Sequence, residues 1–400
     1  MVKCIILYEN SKEEKEMNRK LRVGIISDVH IGFNGHNDPK YFGHFGTIGY
    51  YGERQKLWWK YTLTWFKNRG VDLILCPGDM SNACDYETWS REKAVKISKK
   101  EILGYTFIAA HWGKEKYAES LIEENCKKAG QKPVFYIQHN CLNGTTIYSS
   151  DKTDEPKNVK KFENLVILTG HTHSSIVDEN TIWQPDEINA PNYTTVNCSS
   201  LNYGYCSEIP VNGENLRTKQ ALYMTVVENE LNFERLSFWT KEMIELTENR
   251  KKEQDFKLCT KSCGNDWNFK IGEKKFDIKS RKLKSIPPEF SETAYMGVMK
   301  KDTYATLFFP AAKKSSNIHS YVLEVYDLND NKVAENIVLT EHHIDNSCEY
   351  FSKYYSISVG GLAPETEYIF KVYARDWFLN KSNSPLIVKA KSNKCKTKTV

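Results

Sequence analysis

Four apolar runs in the first half of the chain share one design. Each is short, bounded by Gly, Pro or polar residues, and ends in side chains able to do chemistry. "LRVGIISDVHIG" runs apolar to Ile26 and ends in Asp28 and His30. "VDLILCPGDMSN" runs to Cys76 and ends in Gly78 and Asp79. "KPVFYIQHN" ends in His139, and "NLVILTGHTHS" breaks at Gly170 to deliver His171 and His173. Short apolar runs of this kind are expected of strands buried on both faces. Helix-like stretches, "RQKLWWKYTLTWFKNRG" and "EKYAESLIEENCKKAG", precede the second and third runs, with Gly70 and Gly130 where a helix C-cap belongs. This alternation predicts a layered α/β domain. Ligands of such domains gather at the carboxyl ends of the strands, where all the Asp and His residues named above fall.

Past residue 180 the pattern changes. "ALYMTVVENELNFERLSFW" alternates around a polar turn and predicts a hairpin that closes the first domain. Residues 247–290 are polar and Lys-rich and read as a connection with little regular structure. From 291 on, "YATLFFPAA", "HSYVLEVYDL", "KVAENIVLT", "YYSISVGG", "TEYIFKVYARD" and "SPLIVKAKS" are short alternating runs separated by turn residues, the pattern of an all-β sandwich. In "LAPETEYIFKVYARD", Leu362, Pro364, Thr366 and Tyr368, followed by Val372 and Ala374, resemble the corner and following strand of a fibronectin type III domain. That resemblance implies that Tyr368 bonds back to the corner backbone. The expected organisation is a tail over 1–20, a first domain over 21–246, a connection over 247–290, an immunoglobulin-like or fibronectin type III-like sandwich over 291–392, and a basic tail over 393–400.

Asp28, His30, Asp79, His139, His171 and His173 make a set of two carboxylates and four imidazoles. Such N/O donors suit Zn, Mn, Fe or Ni, with no thiolate to select a softer ion. Six donors exceed the need of one ion and suit two ions that share a carboxylate. "SDVH", "PGDMSN", "QHN" and "GHTH" resemble, in order, the Asp-x-His, Gly-Asp, lone His and Gly-His-x-His blocks of the calcineurin-like metallophosphoesterases, over roughly residues 21 to 240. "KPVFYIQHNCLNGTTIYSSD" and "GHTHSSIVDENTIWQ" are similar to a bacterial-type branch with C-terminal β domains. The resemblance implies a layered metallophosphoesterase-like fold. It implies hydrolysis of a phosphomonoester or phosphodiester through a metal-bridging hydroxide. It also implies one metal held by Asp28, His30, Asp79 and His173, and a second by Asp79, His139 and His171.

The chain departs from that family in one respect. A Gly-Asn-His block is absent between Asp79 and His139. Two readings stand for His111 in "GYTFIAAHWG": the surviving histidine of that block with Ala110 in place of the Asn, or a residue without a role. Asn82 is a fallback oxygen ligand. The second metal is therefore expected to bind weakly. The alternative function is a catalytically impaired metal-binding protein that acts through its β domain as a binding or surface module.

Bulk properties narrow the classes further. The chain has 400 residues and a net charge of +5, too small to argue for nucleic acid as a partner. Eleven scattered cysteines lack a paired CxxC framework, so buried thiols are expected, with Cys259 and Cys263 able to bridge or to bind metal. No run is apolar and long enough to span a membrane, and no signal peptide is visible, so the default expectation is cytoplasmic. An extracellular location stands if the N-terminus is incomplete. The oligomeric state is not legible.

Overall fold

The computed structural model describes residues 5–9, 20–29, 52–78, 97–110, 113–143, 145, 157–184, 192–201, 219–238, 240, 260–301, 303–313, 318–343 and 352–391. Two compact units meet in the sequence between Lys279 and Ser280. No described helix is long and apolar enough to cross a membrane.

The first unit contains β1 Ile5–Glu9, β2 Leu21–Ile25, α1 Gly52–Asn68, β3 Leu73–Cys76, β4 Ile97–Ile102 and β5 Tyr105–Ala110. These are followed by α2 Glu119–Ala129, β6 Val134–Ile137, β7 Leu165–Thr169, β8 Ile182–Trp183 and β9 Thr194–Asn197. The hairpin β10 Gln220–Val227 and β11 Glu230–Ser237 comes next, then β12 Lys261–Ser262 and β13 Trp267–Lys270. One sheet runs β1-β3-β2-β10-β11-β12, with β13 also on β11; the other runs β4-β5-β6-β7-β9-β8. The apolar runs are buried as expected: β3, β6 and β7 at every position, and β2 at all but Arg22.

The layered α/β fold class expected from the sequence is not what forms. Among the described residues the structure is mostly β, with 43% strand against 16% helix. Among the described strands the parallel pairs are β2–β3, β5–β6, β6–β7 and β7–β9. Antiparallel pairing supplies the rest: β1 on β3, β10 between β2 and β11, β12 and β13 on β11, β4 on β5 and β8 on β9. The added strands carry weak hydrophobic signals for a physical reason. An edge strand such as β4, "ISKKEI", needs only one face covered and keeps Ser98, Lys99 and Glu101 exposed, and charge on an edge also opposes edge-to-edge pairing. β1 falls on the stretch read as a tail. β12 and β13 fall on the stretch read as a connection, where "WNFK" alternates buried and exposed positions.

The two expected helices do form. α1 turns Trp58, Tyr61 and Phe66 inward at helical spacing, and Trp65 packs edge-on against Phe66, Tyr223 and Phe238. It ends where Gly70 takes φ +70°, with the Gly70 amide donating to the Lys67 carbonyl, a conformation that costs a side-chain-bearing residue more.

In the second unit a helix, α3 Ile278–Lys284, begins just before the division. It is followed by β14 Gly297–Lys300, β15 Ala305–Pro310, β16 Ser320–Tyr326, β17 Lys332–Leu339, β18 Tyr354–Val359, β19 Glu367–Arg375 and β20 Leu386–Lys391. A three-stranded sheet, β14-β15-β18, and a four-stranded sheet, β17-β16-β19-β20, contribute alternate residues to one core that includes Leu307, Phe309, Tyr321, Leu323, Phe370 and Val372. The Tyr368 hydroxyl accepts from the Ala363 amide at 3.0 Å, the corner bond that the sequence implied. This unit is the fibronectin type III-like sandwich. Phe290 already belongs to its core, so the apolar packing starts ahead of residue 291.

Its interior holds three buried histidines, His319, His342 and His343. The rings of His319, His343 and Trp377 meet pairwise at 4.6–5.1 Å between centroids. His343 Nε2 donates to the His319 carbonyl at 3.1 Å, and Arg375 Nε donates to the Ser320 Oγ that contacts His319 Nδ1. Burial pushes His343 down to about 4. Burial first, then His343 and the Arg375 guanidinium, hold His319 well below the ordinary range. The unfolded chain takes up these protons near pH 6.5 and the folded one does not, so stability is complete above 6.5 and is lost as pH falls from there. The loss reaches about 3 kcal/mol for His343 alone by pH 4. Hydrogen exchange of the β16 and β19 amides in the full chain should therefore report lower opening free energy at pH 5 than at pH 7, with a smaller difference in His343→Phe. Equal protection at both pH values would contradict this.

Candidate functional site

The site is built where β2 and β7 end. Asp28 follows β2, is fully buried, and takes φ +49°, with its amide donating to the Gly78 carbonyl at 3.1 Å. His171 and His173 follow β7 at φ +69° and +50°. Ser199, after β9, has φ +59°. Four of the nine described non-glycine residues with positive φ thus crowd into one place. Left-handed backbone costs on the order of 1–3 kcal/mol per residue and persists where surrounding contacts over-determine it, as at ligand clamps.

The contacts that do so are specific. Asp28 Oδ2 accepts from Ser27 Oγ at 2.6 Å and from the His171 amide at 3.0 Å. Asp28 Oδ1 lies 3.2 Å from His173 Nε2. His139 Nε2 lies 3.0 Å from His171 Nδ1, the two rings edge-on with centroids 4.8 Å apart. The Gly170 amide donates to the His139 carbonyl at 2.9 Å, which joins the turns after β6 and β7. Gly170 admits no side chain: a Cβ there would lie 2.1 Å from Ser27 Oγ and 2.5 Å from Asp28 Oδ2.

Asp28, His139, His171 and His173 are therefore brought together. His30 and Asp79 lie outside the described residues, as do His111 and Asn82. Among the described residues no cluster of three His, Cys, Asp or Glu is arranged to hold an ion. Among the described residues Asp28 pairs with His173 and His139 with His171, and the bond from the His171 amide to Asp28 joins the two pairs. The pair separations, 3.0 Å and 3.2 Å, are hydrogen-bond lengths that two donors sharing one ion would also have. Donors bound to one ion at about 2.0–2.2 Å, at angles between octahedral and tetrahedral, stand about 3.0–3.5 Å apart.

A second tier of buried polar groups holds these turns. Asn197 Nδ2 donates to the Gly170 carbonyl at 2.8 Å and contacts Cys141 Sγ at 3.2 Å, while its Oδ1 accepts from the Ser199 amide at 3.1 Å. Ser200 Oγ donates to the Asp28 carbonyl at 3.0 Å. Gln220 Oε1 accepts from Ser199 Oγ and the Ile176 amide, and its Nε2 donates to Ser175 Oγ. Arg235, stacked over Trp267, donates to the Ile176 carbonyl and to Glu179 and so braces the segment that leaves the histidine turn. The sequence reading passed over Asn197 and Ser200. The signal was weak: "TTVNCSS" is a β-branched run with a single apolar residue, Val196, before its polar end, and no histidine or carboxylate marks it.

Cys76, Cys141 and Cys198 are buried around the same turns, and none of the described cysteines is in a disulfide. Burial first, then the Asp28 carboxylate, raises the Cys198 thiol well above its ordinary range, so it is held protonated. Cys259, which the sequence left open as a partner of Cys263, lies outside the described residues.

No protein-family model and no curated protein matches the sequence. Solved structures do resemble it over a little more than a quarter of its length. They include the fibronectin type III domain of human collagen alpha-1(XX), at 13% identity and TM-score 0.21, covering 29% of this chain and 94% of that one. A second is FN3tt, at 15% identity and TM-score 0.19, covering 28% and 99%. A third, a computer-based redesign of a β-sandwich protein, is 18% identical with TM-score 0.19 and covers 28% and 93%.

The tight fit at Gly170 makes a direct prediction. Gly170→Ala should force apart the Ser27–Asp28 and His171 turns and lower stability by about 1–3 kcal/mol, the usual cost of overpacking. Gly297→Ala, where an added Cβ meets nothing within 4 Å, should leave the denaturant midpoint unchanged. Equal midpoints for Gly170→Ala and the parent chain would refute the close approach.

Proposed function

We propose that the first unit hydrolyses a phosphomonoester or phosphodiester with divalent metal held by Asp28, His30, Asp79, His139, His171 and His173. The observation that carries this reading is the arrangement of donor atoms in two pairs, at 3.0 Å and 3.2 Å, tied together through Asp28. The ordered resemblance of "SDVH", "PGDMSN", "QHN" and "GHTH" to the calcineurin-like metallophosphoesterases supplies the chemistry for those pairs.

A bound divalent ion supplies Lewis acidity at a phosphoryl oxygen and lowers the pKa of water. The chain's own residues set where that happens. Asp28 uses one oxygen toward His173 and the other to hold the His171 amide, so its carboxylate plane is fixed before any ion arrives. Ser27 Oγ, donating to the same Oδ2, fixes it further. The glycine before His171 lets the backbone pass within contact of that carboxylate. The buried thiols and apolar strands behind the turns keep water from the rear of the site.

The missing Gly-Asn-His block has two consequences. One ion retains Asp28, His30, Asp79 and His173. The other retains only Asp79, His139 and His171, and losing a ligand should weaken it by at least the roughly 10–100-fold that loss of a supporting partner costs. Mass-spectrometric metal analysis after dialysis should find one equivalent retained per chain. Two retained equivalents would mean that another oxygen ligand has taken the vacant role. Hydrolysis of p-nitrophenyl phosphate and bis-(p-nitrophenyl) phosphate should rise with added Mn²⁺ or Ni²⁺ beyond the first equivalent, and Asp28→Asn should abolish it. Metal retained without hydrolysis of either ester would favour the non-catalytic binding protein instead.

A further inference from the structure

The peptide unit between Gly170 and His171 is gripped at both ends. In a trans peptide the C=O and N–H point in opposite directions. The N–H end donates to Asp28 Oδ2 at 3.0 Å, and the C=O end accepts from Asn197 Nδ2 at 2.8 Å. The Thr172 amide also reaches that carbonyl at 2.8 Å. Rotating this one peptide plane would break its bond to Asp28, leaving the carboxylate to Ser27 and His173 alone, and would displace the backbone that carries His171. Asn197 is almost fully buried and uses both ends of its amide. Its Nδ2 also meets Cys141 Sγ, two residues past His139, and its Oδ1 holds the Ser199 amide.

We propose that Asn197 is the positioning residue of the metal site: by fixing the Gly170–His171 peptide plane it aims Asp28 and the His139–His171 pair at the ions. This rests on the metal-centre reading above. Asn197 touches none of the four candidate ligand side chains through the contacts described, and acts through the backbone that carries them. An aspartate is its closest isostere. It keeps the acceptor for the Ser199 amide but turns a second acceptor toward the Gly170 carbonyl, so the grip becomes repulsion at nearly constant volume.

The test uses the full chain and Mn²⁺ as the probe, with affinity read by calorimetry. Asn197→Asp and Asn197→Ala should weaken Mn²⁺ binding by about 10–100-fold, the range for loss of a supporting partner. Asn164→Ala is the control. Asn164 is also buried, and its Nδ2 donates to the carbonyls of Cys126, Gly130 and Lys132. Its removal should lower the denaturant midpoint without changing Mn²⁺ affinity. The visible d–d bands of the Co²⁺-loaded protein should shift in Asn197→Asp and stay in place in Asn164→Ala. If Asn197→Ala does not fold, Asn197→Asp carries the measurement. Wild-type affinity and an unshifted Co²⁺ spectrum in folded Asn197→Asp would overturn the proposal, as would equal weakening in Asn164→Ala. A parent chain that binds no Mn²⁺ or Co²⁺ would overturn the metal-centre reading itself, and this inference with it.

Discussion

The first unit depends on one close approach, the Asp28 carboxylate against the backbone of Gly170 and His171. Asp28 belongs to the turn after β2 in one sheet, and Gly170 to the turn after β7 in the other. A buried carboxylate is costly unless hydrogen-bonded, and here the facing turn supplies a backbone amide while Ser27 supplies a hydroxyl. The glycine is required because a methyl group would occupy the space of the carboxylate. Neighbouring features of the site are tied to that contact. His171 and His173 adopt left-handed backbone to leave it, His139 is joined to it through the Gly170 amide, and the strands behind it are apolar because polar groups there would lack partners.

Much of this was legible in the residues themselves. The buried runs ending in Asp28, His139, His171 and His173 could be read because a strand covered on both faces has few polar positions until it ends, so clustered polar side chains mark the end. Both long helices could be read because α1 and α2 repeat their apolar residues at helical spacing and stop at glycine. The second unit could be read because its strands alternate and its corner tyrosine has a fixed partner. What failed was the fold class of the first unit. The strands that make it mostly β are edge strands or late additions, and a half-covered strand such as β4 or β13 carries too few apolar residues to stand out from a loop.

The site divides along the same line. Metal-ligating side chains announce themselves by type, so the imidazoles and carboxylates drew attention. Asn197, Ser200 and Gln220 did not, because their work is to satisfy backbone groups, and an amide or hydroxyl in a sequence gives no sign of whether it faces water or a buried carbonyl. Only the three-dimensional arrangement separates Asn197, with bonds to Gly170 and Ser199, from the many asparagines in turns.

The central claim is that the Asp28–His173 and His139–His171 pairs are halves of a metal centre rather than two isolated hydrogen bonds. Anomalous diffraction from crystals grown with Mn²⁺ tests it most directly. The account predicts a strong peak within coordination distance of Asp28 and His173, and a weaker one beside His139 and His171 that strengthens with metal concentration. A map with no peak at either pair at saturating Mn²⁺, or peaks only on surface carboxylates, would contradict it.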